Sequence, residues 1–224
     1  MIELKNISKA FSGKEVLKDI SIGFPQGSFT IIIGENGSGK STLLNIITGI
    51  IKADSGSIFY NSKILSDEDV TLEFKRILGY SSQSNFLIDD FSVFEFLQFI
   101  CLLYNADKRN IDEVIKIFFE KNADEILKTK IGILSHGQKR KISICSLLIH
   151  NPAILVFDEP FSDLDSRGTI ALIKILEQAI ENGKTIIMVA HHFDNLIEYP
   201  LRFISIQNKT AQLIPALNVT VKGM

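Results

Sequence analysis

The sequence has few of the features expected of a protein from an oxidising compartment, of a nucleic-acid-binding protein or of a membrane-spanning protein. Two cysteines in 224 residues argue against a disulfide framework and a cysteine-based metal site. The formal net charge of −2 gives no strongly basic surface for nucleic acid. No apolar run approaches the ~18 residues that a membrane-spanning helix needs, and the first residues predict a strand rather than a signal peptide. We therefore expect a soluble, cytoplasmic chain without a nucleic-acid partner.

Apolar side chains, by contrast, are abundant. Hydrophobic residues make up 46% and charged residues 22% of the sequence, which is enough apolar material for one sizeable core. Sixteen phenylalanines and a mean hydropathy of +0.20 are high for a soluble protein, so we expect a partner to cover part of the apolar surface. Cys101 and Cys145 lie in apolar, helix-like stretches and are predicted to be buried free thiols.

Apolar periodicity predicts short strands in the first part of the chain, then a helical insertion. The predicted strands are Ile2–Ile7, Val16–Phe24, Phe29–Ile33, Gly56–Tyr60 and Ile77–Ser81. A helix is predicted over Ser41–Ile50, and helical spacing dominates roughly from Phe86 to Ile149.

The last third of the chain predicts a parallel sheet. Ala153–Phe157 and Thr185–Ala190 are unbroken apolar runs joined by a predicted helix over Gly168–Glu181, the pattern of a βαβ unit. We therefore predict a single α/β domain over residues 1–224. Its core covers about residues 1–85 and 150–224, with a small antiparallel β subdomain and an inserted helical subdomain of about residues 86–149.

A glycine-rich segment stands between a predicted strand and a predicted helix. Gly34–Ser41 has the sequence GENGSGKS, which fits the phosphate-binding pattern G-x-x-x-x-G-K-[ST]. Glycines allow successive backbone N–H groups to face a phosphate, and the helix N-terminus adds partial positive charge. Lys40 is placed to reach the β- and γ-phosphates, and the Ser41 hydroxyl suits Mg²⁺. The segment predicts a P-loop nucleotide site; the alternative is a glycine-rich turn without a ligand.

Two carboxylates directly follow the apolar run Ala153–Phe157. Ligands bind at the carboxyl ends of strands in such sheets. Asp158 is therefore placed to hold Mg²⁺, and Glu159 to orient or deprotonate a water that attacks the γ-phosphate. The simpler alternative is a pair of acids that ends a strand, and the P-loop upstream argues against it.

A further helix start precedes these acids. Leu134–Lys141 has the sequence LSHGQKRK, in which Ser135 and Gln138 fit a capping box beside the small Gly137. In isolation this pattern predicts only a capped helix. In a chain with a P-loop, it suggests a second anion site that grips the same nucleotide. The basic run Lys139–Lys141 is predicted to lie on a solvated face.

In this order, Gly34–Thr42, Leu134–Gln138 and Asp158-Glu159 resemble the motifs of an ABC-type ATPase. The resemblance covers about Ile2–Ile206 and implies a P-loop NTPase core, ATP and Mg²⁺ as cofactors, and active hydrolysis. The implied ATP contacts are Phe11, Val16, Gly34, Asn36, Gly37, Ser38, Gly39, Lys40, Ser41, Thr42, Gln83, Ser135, Gly137, Gln138 and Asp158. Ser41, Gln83 and Asp158 would hold Mg²⁺, and the implied catalytic residues are Glu159, His191 and Lys40.

Several of these roles rest on the resemblance alone. Phe11 matches an aromatic residue that stacks on adenine, although by itself it would more simply be a core residue. Gln83 matches a glutamine that couples Mg²⁺ to a membrane subunit, and His191 matches a histidine that contacts the γ-phosphate. Ser162–Asp165 resembles a loop that crosses a dimer interface. Three residues depart from the family pattern, namely His136, Asp163 and His192.

The resemblance also implies partners. Two copies, or one copy and a paralogue, would sandwich two Mg-ATP between the P-loop of one chain and Ser135–Gln138 of the other. Hydrolysis would drive a separate membrane-spanning permease subunit, which would hold the chain at the inner face of the cell membrane. A helix of that subunit would dock beside Gln83, and we expect part of Phe86–Leu103 to form an exposed apolar groove there.

Other nucleotide-binding classes fit the sequence less well. A P-loop GTPase needs N/T-K-x-D, and Asn208–Ala211 lacks the aspartate. A small-molecule kinase needs an arginine-rich lid, whereas Arg109 is the only arginine of the helical insertion before Leu134. A soluble ABC-type ATPase resembling a repair or translation factor remains the alternative to a transport subunit.

Overall fold

The structure is a computed structural model that describes residues 1–66, 68–83, 86–190, 196 and 199–215. Its larger sheet has six strands, in the spatial order β10 (Thr210–Ile214), β9 (Leu201–Gln207), β3 (Phe29–Ile33), β8 (Thr185–Val189), β7 (Ile154–Asp158) and β6 (Leu78–Ser81). All pairs are parallel except β9 with β10. Strands β7 and β8 are buried along their whole length, as their unbroken apolar runs predicted. The carboxyl ends of β3, β8 and β7 consequently meet at one edge.

A second, smaller sheet is antiparallel and has the order β2 (Lys14–Phe24), β1 (Ile2–Phe11), β4 (Ser55–Tyr60) and β5 (Lys63–Ile64). The first strand continues beyond the predicted end at Ile7, because Lys9 and Ala10 still pair with β2. This extension places Phe11 at the end of β1. The predicted antiparallel β piece is confirmed.

Three helices accompany the β-structure: α1 (Lys40–Ile47), α2 (Glu68–Arg76) and α7 (Ser166–Glu181). α1 follows β3 directly and ends three residues before the predicted boundary at Ile50. Asp165 caps the N-terminus of α7, because its side chain accepts a hydrogen bond from the Gly168 backbone N–H at 2.7 Å. α2 was not predicted, because its sequence is mostly polar and Phe74 is its only buried residue.

The inserted segment is helical, with α3 (Val93–Tyr104), α4 (Asn110–Phe119), α5 (Ala123–Lys128) and α6 (His136–Leu148). These helices share a hydrophobic cluster of their own, in which both cysteines are buried free thiols as predicted. A capping box of Ser92 and Glu95 starts α3. Within the described part of the chain, no helix is both long and apolar enough to cross a bilayer. The α/β fold class with a helical insertion is confirmed.

Candidate functional site

The loop between β3 and α1 surrounds the Lys40 side chain. The Lys40 ammonium donates hydrogen bonds to the carbonyl oxygens of Gly34 at 2.8 Å and Glu35 at 2.9 Å. Only 7% of Lys40 is exposed. Burial lowers the pKa of Lys40, while the negative charges of Glu159 and Asp158 act in the opposite direction. The loop therefore holds a cation at the N-terminus of α1, facing two acids.

The glycines of this loop are required by its packing. Gly39 has φ 104°, and a Cβ there would lie 2.8 Å from a methyl group of Leu17 and 3.2 Å from Val16. A Cβ on Gly34 would lie 2.6 Å from the Ile206 carbonyl oxygen. Neither position accommodates a side chain. The backbone thus passes closer to its neighbours than any other residue type would allow.

The two acids lie at the carboxyl end of β7, and β8 separates this strand from β3. Asp158 is 3% exposed, and burial raises its pKa, against a hydrogen bond with Ser41 and the charges of Arg140 and Lys40. Asp158 Oδ1 is buried and has no hydrogen-bond donor among the described residues. Glu159 follows in a left-handed conformation, with φ 49°, and its N–H donates to the Val189 carbonyl oxygen at 2.9 Å.

These groups line one cleft of about 880 Å³. It brings together most of the residues predicted to contact ATP or Mg²⁺, namely Phe11, Val16, Asn36, Gly37, Gly39, Lys40, Ser41, Thr42, Gln83, Asp158 and Glu159. Gly34 and Ser38 belong to the same loop, and the buried Ser38 Oγ has no hydrogen-bond partner within the described residues. Phe161, Ser162 and Val189 complete the lining. Of these three, only Ser162 was predicted to have a role, in the loop at the dimer interface.

Among the residues that line the cleft, Phe11 is 44% exposed. The simpler prediction that Phe11 is a core residue is therefore wrong. The Lys9 ammonium lies 5.3 Å from the centre of the ring and 2.6 Å from Asp54. Asp54 also accepts a hydrogen bond from the Ala10 N–H at 2.7 Å. The aromatic ring is thus accessible, and the strand end that carries it is fixed by Asp54.

The signature segment, Leu134–Gln138, lies outside this cleft. Its predicted capping box is present: the Gln138 N–H donates to Ser135 Oγ at 3.2 Å and the Ser135 N–H donates to Gln138 Oε1 at 2.9 Å. A Cβ on Gly137 would lie 2.6 Å from the Asp163 carbonyl oxygen. Within one chain, Ser135, Gly137 and Gln138 are therefore not brought together with the P-loop. Gly137 packs against the loop Ser162–Asp165 instead.

His191 and His192 lie outside the described residues. The structure describes β8 and then Ala190 before this gap. The strand β8 lies between β3 and β7. The chain thus leaves β8 at the sheet edge that carries the P-loop and the two acids.

The basic run Lys139–Lys141 does not lie on a solvated face, and that prediction is wrong. Arg140 is 1% exposed, and its guanidinium donates to the carbonyl oxygens of Ser82, Asp158, Glu159 and Pro160. Lys139 and Lys141 pair with Asp89 and Asp165, each at 2.9 Å. Charged residues in a row on a helix start are consistent with a solvated face, but here α6 packs against the turn after β7.

An exposed apolar surface lies on α3 and the segment before it. We define it as Phe86, Ile88, Phe94, Phe99, Leu102 and Leu103, each of which is exposed. The opposite side of α3 is buried in the helical subdomain through Val93, Phe96, Leu97 and Cys101. Phe91 is partly buried and packs edge-on against Phe99. The helix α3 is therefore not buried on all sides, as the expectation of an exposed apolar surface requires.

Comparisons with known proteins relate this arrangement to one family. A family model described as "ABC transporter" matches residues 17–162. A putative ABC transporter ATP-binding protein of Pyrococcus furiosus is 32% identical over 215 residues, which are 95% of this chain and 82% of that protein. A solved dimeric ATP-binding cassette in a post-hydrolysis state, with ADP and Pi bound, is 25% identical, matches 100% of both chains and gives a TM-score of 0.83.

Some relatives are much longer than this chain. A putative ABC transporter ATP-binding protein of Vibrio vulnificus is 28% identical over 209 residues, and a protein of the same description from Vibrio parahaemolyticus matches equally well. The match covers 92% of this chain but only 36% of either relative.

Proposed function

The chain belongs to the ABC transporter family of ATP-binding proteins, and we propose that it binds and hydrolyses Mg-ATP to power transport by a separate membrane subunit. The family and the P-loop fold predicted from the sequence are confirmed. The observation that carries the proposal is the convergence of Lys40, Ser41, Asp158 and Glu159 in one cleft at the carboxyl edge of the sheet. This edge is where ligands bind in such sheets.

ATP would occupy the cleft with its phosphates on the P-loop and its base near Phe11. The Lys40 ammonium donates to two carbonyl oxygens of its own loop, and phosphate oxygens would be better acceptors because they are charged. The N-terminus of α1 would contribute backbone N–H groups and partial positive charge. The half-exposed Phe11 ring offers a stacking surface for adenine.

The residues beside Lys40 fit Mg²⁺. The ion prefers oxygen ligands and is usually held by one or two carboxylates together with substrate phosphates. Asp158 presents a buried carboxylate oxygen without a donor among the described residues, and its carboxylate is hydrogen-bonded to Ser41. Both side chains would hold the ion, which would neutralise charge on the phosphates. Gln83, on the same cleft, would complete the set.

Glu159 is the proposed base. Its backbone conformation turns the chain sharply after β7, and its side chain lines the cleft that Lys40 also lines. Glu159 would orient and deprotonate the water that attacks the γ-phosphate. His191, which follows β8, would contact the γ-phosphate.

A second ATPase chain would supply the signature segment. Ser135 and His136, at the start of α6, are exposed, and a capping box of Ser135 and Gln138 fixes this helix N-terminus. Such an N-terminus is suited to an anion, yet it does not line the chain's own cleft. A homodimer, or a heterodimer with a paralogue, would place it on the ATP of the other chain.

The exposed apolar surface on α3 would receive a helix of the membrane subunit, by the helix-in-groove mode. This surface follows Gln83 in the chain, so docking of the membrane subunit would be coupled to the ATP cleft. The chain would then be cytoplasmic and held at the inner face of the membrane by this partner. Relatives described as transporter ATP-binding proteins support this function over a soluble repair or translation factor.

Two variants test the proposal, one at the phosphate site and one at the docking surface. Lys40→Ala should abolish binding of a fluorescent ATP analogue, since it removes the buried cation of the P-loop; binding at wild-type affinity would refute the phosphate site. Phe99→Asp should abolish co-purification of the membrane subunit from detergent-solubilised membranes, while ATP affinity is retained. Leu213→Asp is the matched control, because Leu213 is 59% exposed and lies on strand β10, outside the helical insertion; equal losses in both variants would refute the docking surface.

A further inference from the structure

A buried arginine connects α6 to the turn that carries Glu159. Arg140 Nη2 donates to the carbonyl oxygens of Asp158 at 2.6 Å and Glu159 at 2.7 Å, and Nε lies 3.4 Å from the carbonyl oxygen of Pro160. Three consecutive main-chain carbonyl groups therefore converge on one guanidinium. We propose that Arg140 is a positioning residue for ATP hydrolysis, which fixes the backbone of this turn and thereby the direction of the Glu159 side chain.

The backbone of this turn has an unusual conformation, which neighbouring groups must hold in place. Glu159 is not glycine, yet its φ is 49°, a conformation that persists only where the surroundings hold it. Its N–H is held by the Val189 carbonyl oxygen at 2.9 Å. Arg140 holds the carbonyl on the other side of the same residue. The two contacts together fix the peptide groups on both sides of Glu159.

The charge of the guanidinium is compensated within the same region. The carboxylates of Asp158, Asp163 and Glu159 favour the charged form of Arg140, against its burial. A buried cation with hydrogen-bonded carbonyl groups and nearby anions meets the conditions under which burial of charge is tolerated. The buried guanidinium is thus held by hydrogen bonds to main-chain carbonyl oxygens and by nearby negative charges.

The same guanidinium reaches a second part of the cleft. Arg140 Nη1 donates to the carbonyl oxygen of Ser82 at 2.5 Å, and Ser82 is followed by Gln83. Arg140 lies on α6, whose first turn contains the last residues of the signature segment, His136–Gln138. A displacement of α6 would therefore move the turn that carries Glu159 and the backbone just before Gln83 together.

Lysine cannot reproduce this geometry. Arginine presents several donors in a rigid, planar fork, whereas lysine has one ammonium group on a flexible stem. An ammonium at position 140 would keep the positive charge but would not reach four carbonyl groups on both sides of the fork. Arg140→Lys therefore separates the positioning effect from the loss of charge.

The test is a comparison of Arg140→Lys with the wild-type chain in steady-state hydrolysis and in ATP binding. We expect kcat to fall by about 100-fold, the effect of a small misplacement of a catalytic group, while the affinity for ATP is unchanged. Ile142→Ala is the control for a general loss of stability, since Ile142 is fully buried on the same helix. It should lower the melting temperature and leave kcat unchanged. A wild-type kcat for Arg140→Lys, or an equal fall of kcat in the control, would overturn the inference.

A double variant identifies the residue through which Arg140 acts. If Arg140 works through Glu159, then Arg140→Lys should not lower the residual hydrolysis of Glu159→Gln any further, because contacts that act as a unit are not additive. Full additivity of the two losses would overturn the inference. The inference rests on the proposed role of Glu159, and the two fail differently: wild-type hydrolysis by Glu159→Gln alone refutes that role, whereas additivity refutes only the positioning by Arg140.

Discussion

Replacement of Gly137 by alanine tests the packing between the signature segment and the loop Ser162–Asp165. Gly137 is the second residue of α6, and an added methyl group would lie 2.6 Å from the Asp163 carbonyl oxygen. Two effects oppose each other. Alanine favours a helix over glycine by about 1 kcal/mol, whereas crowding in a well-packed site costs about 1–3 kcal/mol. Because the contact is a main-chain atom, which cannot rotate away, we expect crowding to win and the free energy of unfolding to fall by about 0–2 kcal/mol.

The functional effect of Gly137→Ala should exceed this small change in stability. The methyl group would displace either the start of α6 or the loop Ser162–Asp165, and both belong to the proposed dimer interface. Binding of ATP by one chain should persist, because Gly137 does not line the cleft. Urea unfolding, titration with a fluorescent ATP analogue and phosphate release measure the three quantities. A variant that is about 1 kcal/mol more stable than wild type and hydrolyses ATP normally would refute the close approach.

Two further predictions concern residues that line the cleft, Phe11 and Asp158. Phe11→Ala should weaken ATP binding by about 1–3 kcal/mol if the ring stacks on adenine, and Phe11→Tyr should bind ATP as the wild type does. The melting temperature of Phe11→Ala should not change, because the ring is half exposed. Unchanged ATP affinity of Phe11→Ala would remove Phe11 from the site. Burial raises the pKa of Asp158, so its carboxyl group takes up a proton at a higher pH than an ordinary aspartic acid. Mg²⁺-dependent affinity for ATP should therefore fall as the pH is lowered through that raised pKa, and a pH dependence that persists in Asp158→Asn would assign it to another group.

The sequence predicted the parts of the site that are encoded locally. A P-loop needs its glycines, its lysine and its hydroxyl within one short segment, and the two acids follow a strand that is apolar throughout. For these reasons β3, α1 and β7 were placed correctly. The polar α2 was missed because burial of Phe74 alone leaves no apolar period to detect. The hairpin of β9 and β10 was not predicted: no strand was identified after Thr185–Ala190.

Long-range packing accounts for the rest. The run Lys139–Lys141 has the composition of a solvated helix face, and only the contact of α6 with the turn after β7 buries Arg140. The capping-box pattern suggested that Ser135, Gly137 and Gln138 contact a nucleotide, and the family resemblance assigned them to the ATP of a second chain. The fold of one chain keeps them away from its own cleft. No local pattern states which chain's nucleotide such a segment serves.

The most direct test of the proposed function is phosphate release from saturating Mg-ATP by the wild-type chain and by Glu159→Gln, with ATP affinity measured on the same samples. The amide keeps the size of the side chain and removes the base. We predict that affinity is retained and that the rate of hydrolysis falls by about 100-fold or more, the range of general base catalysis. Hydrolysis by Glu159→Gln at the wild-type rate would contradict the assignment of Glu159 and, with it, the account of how this cleft uses ATP.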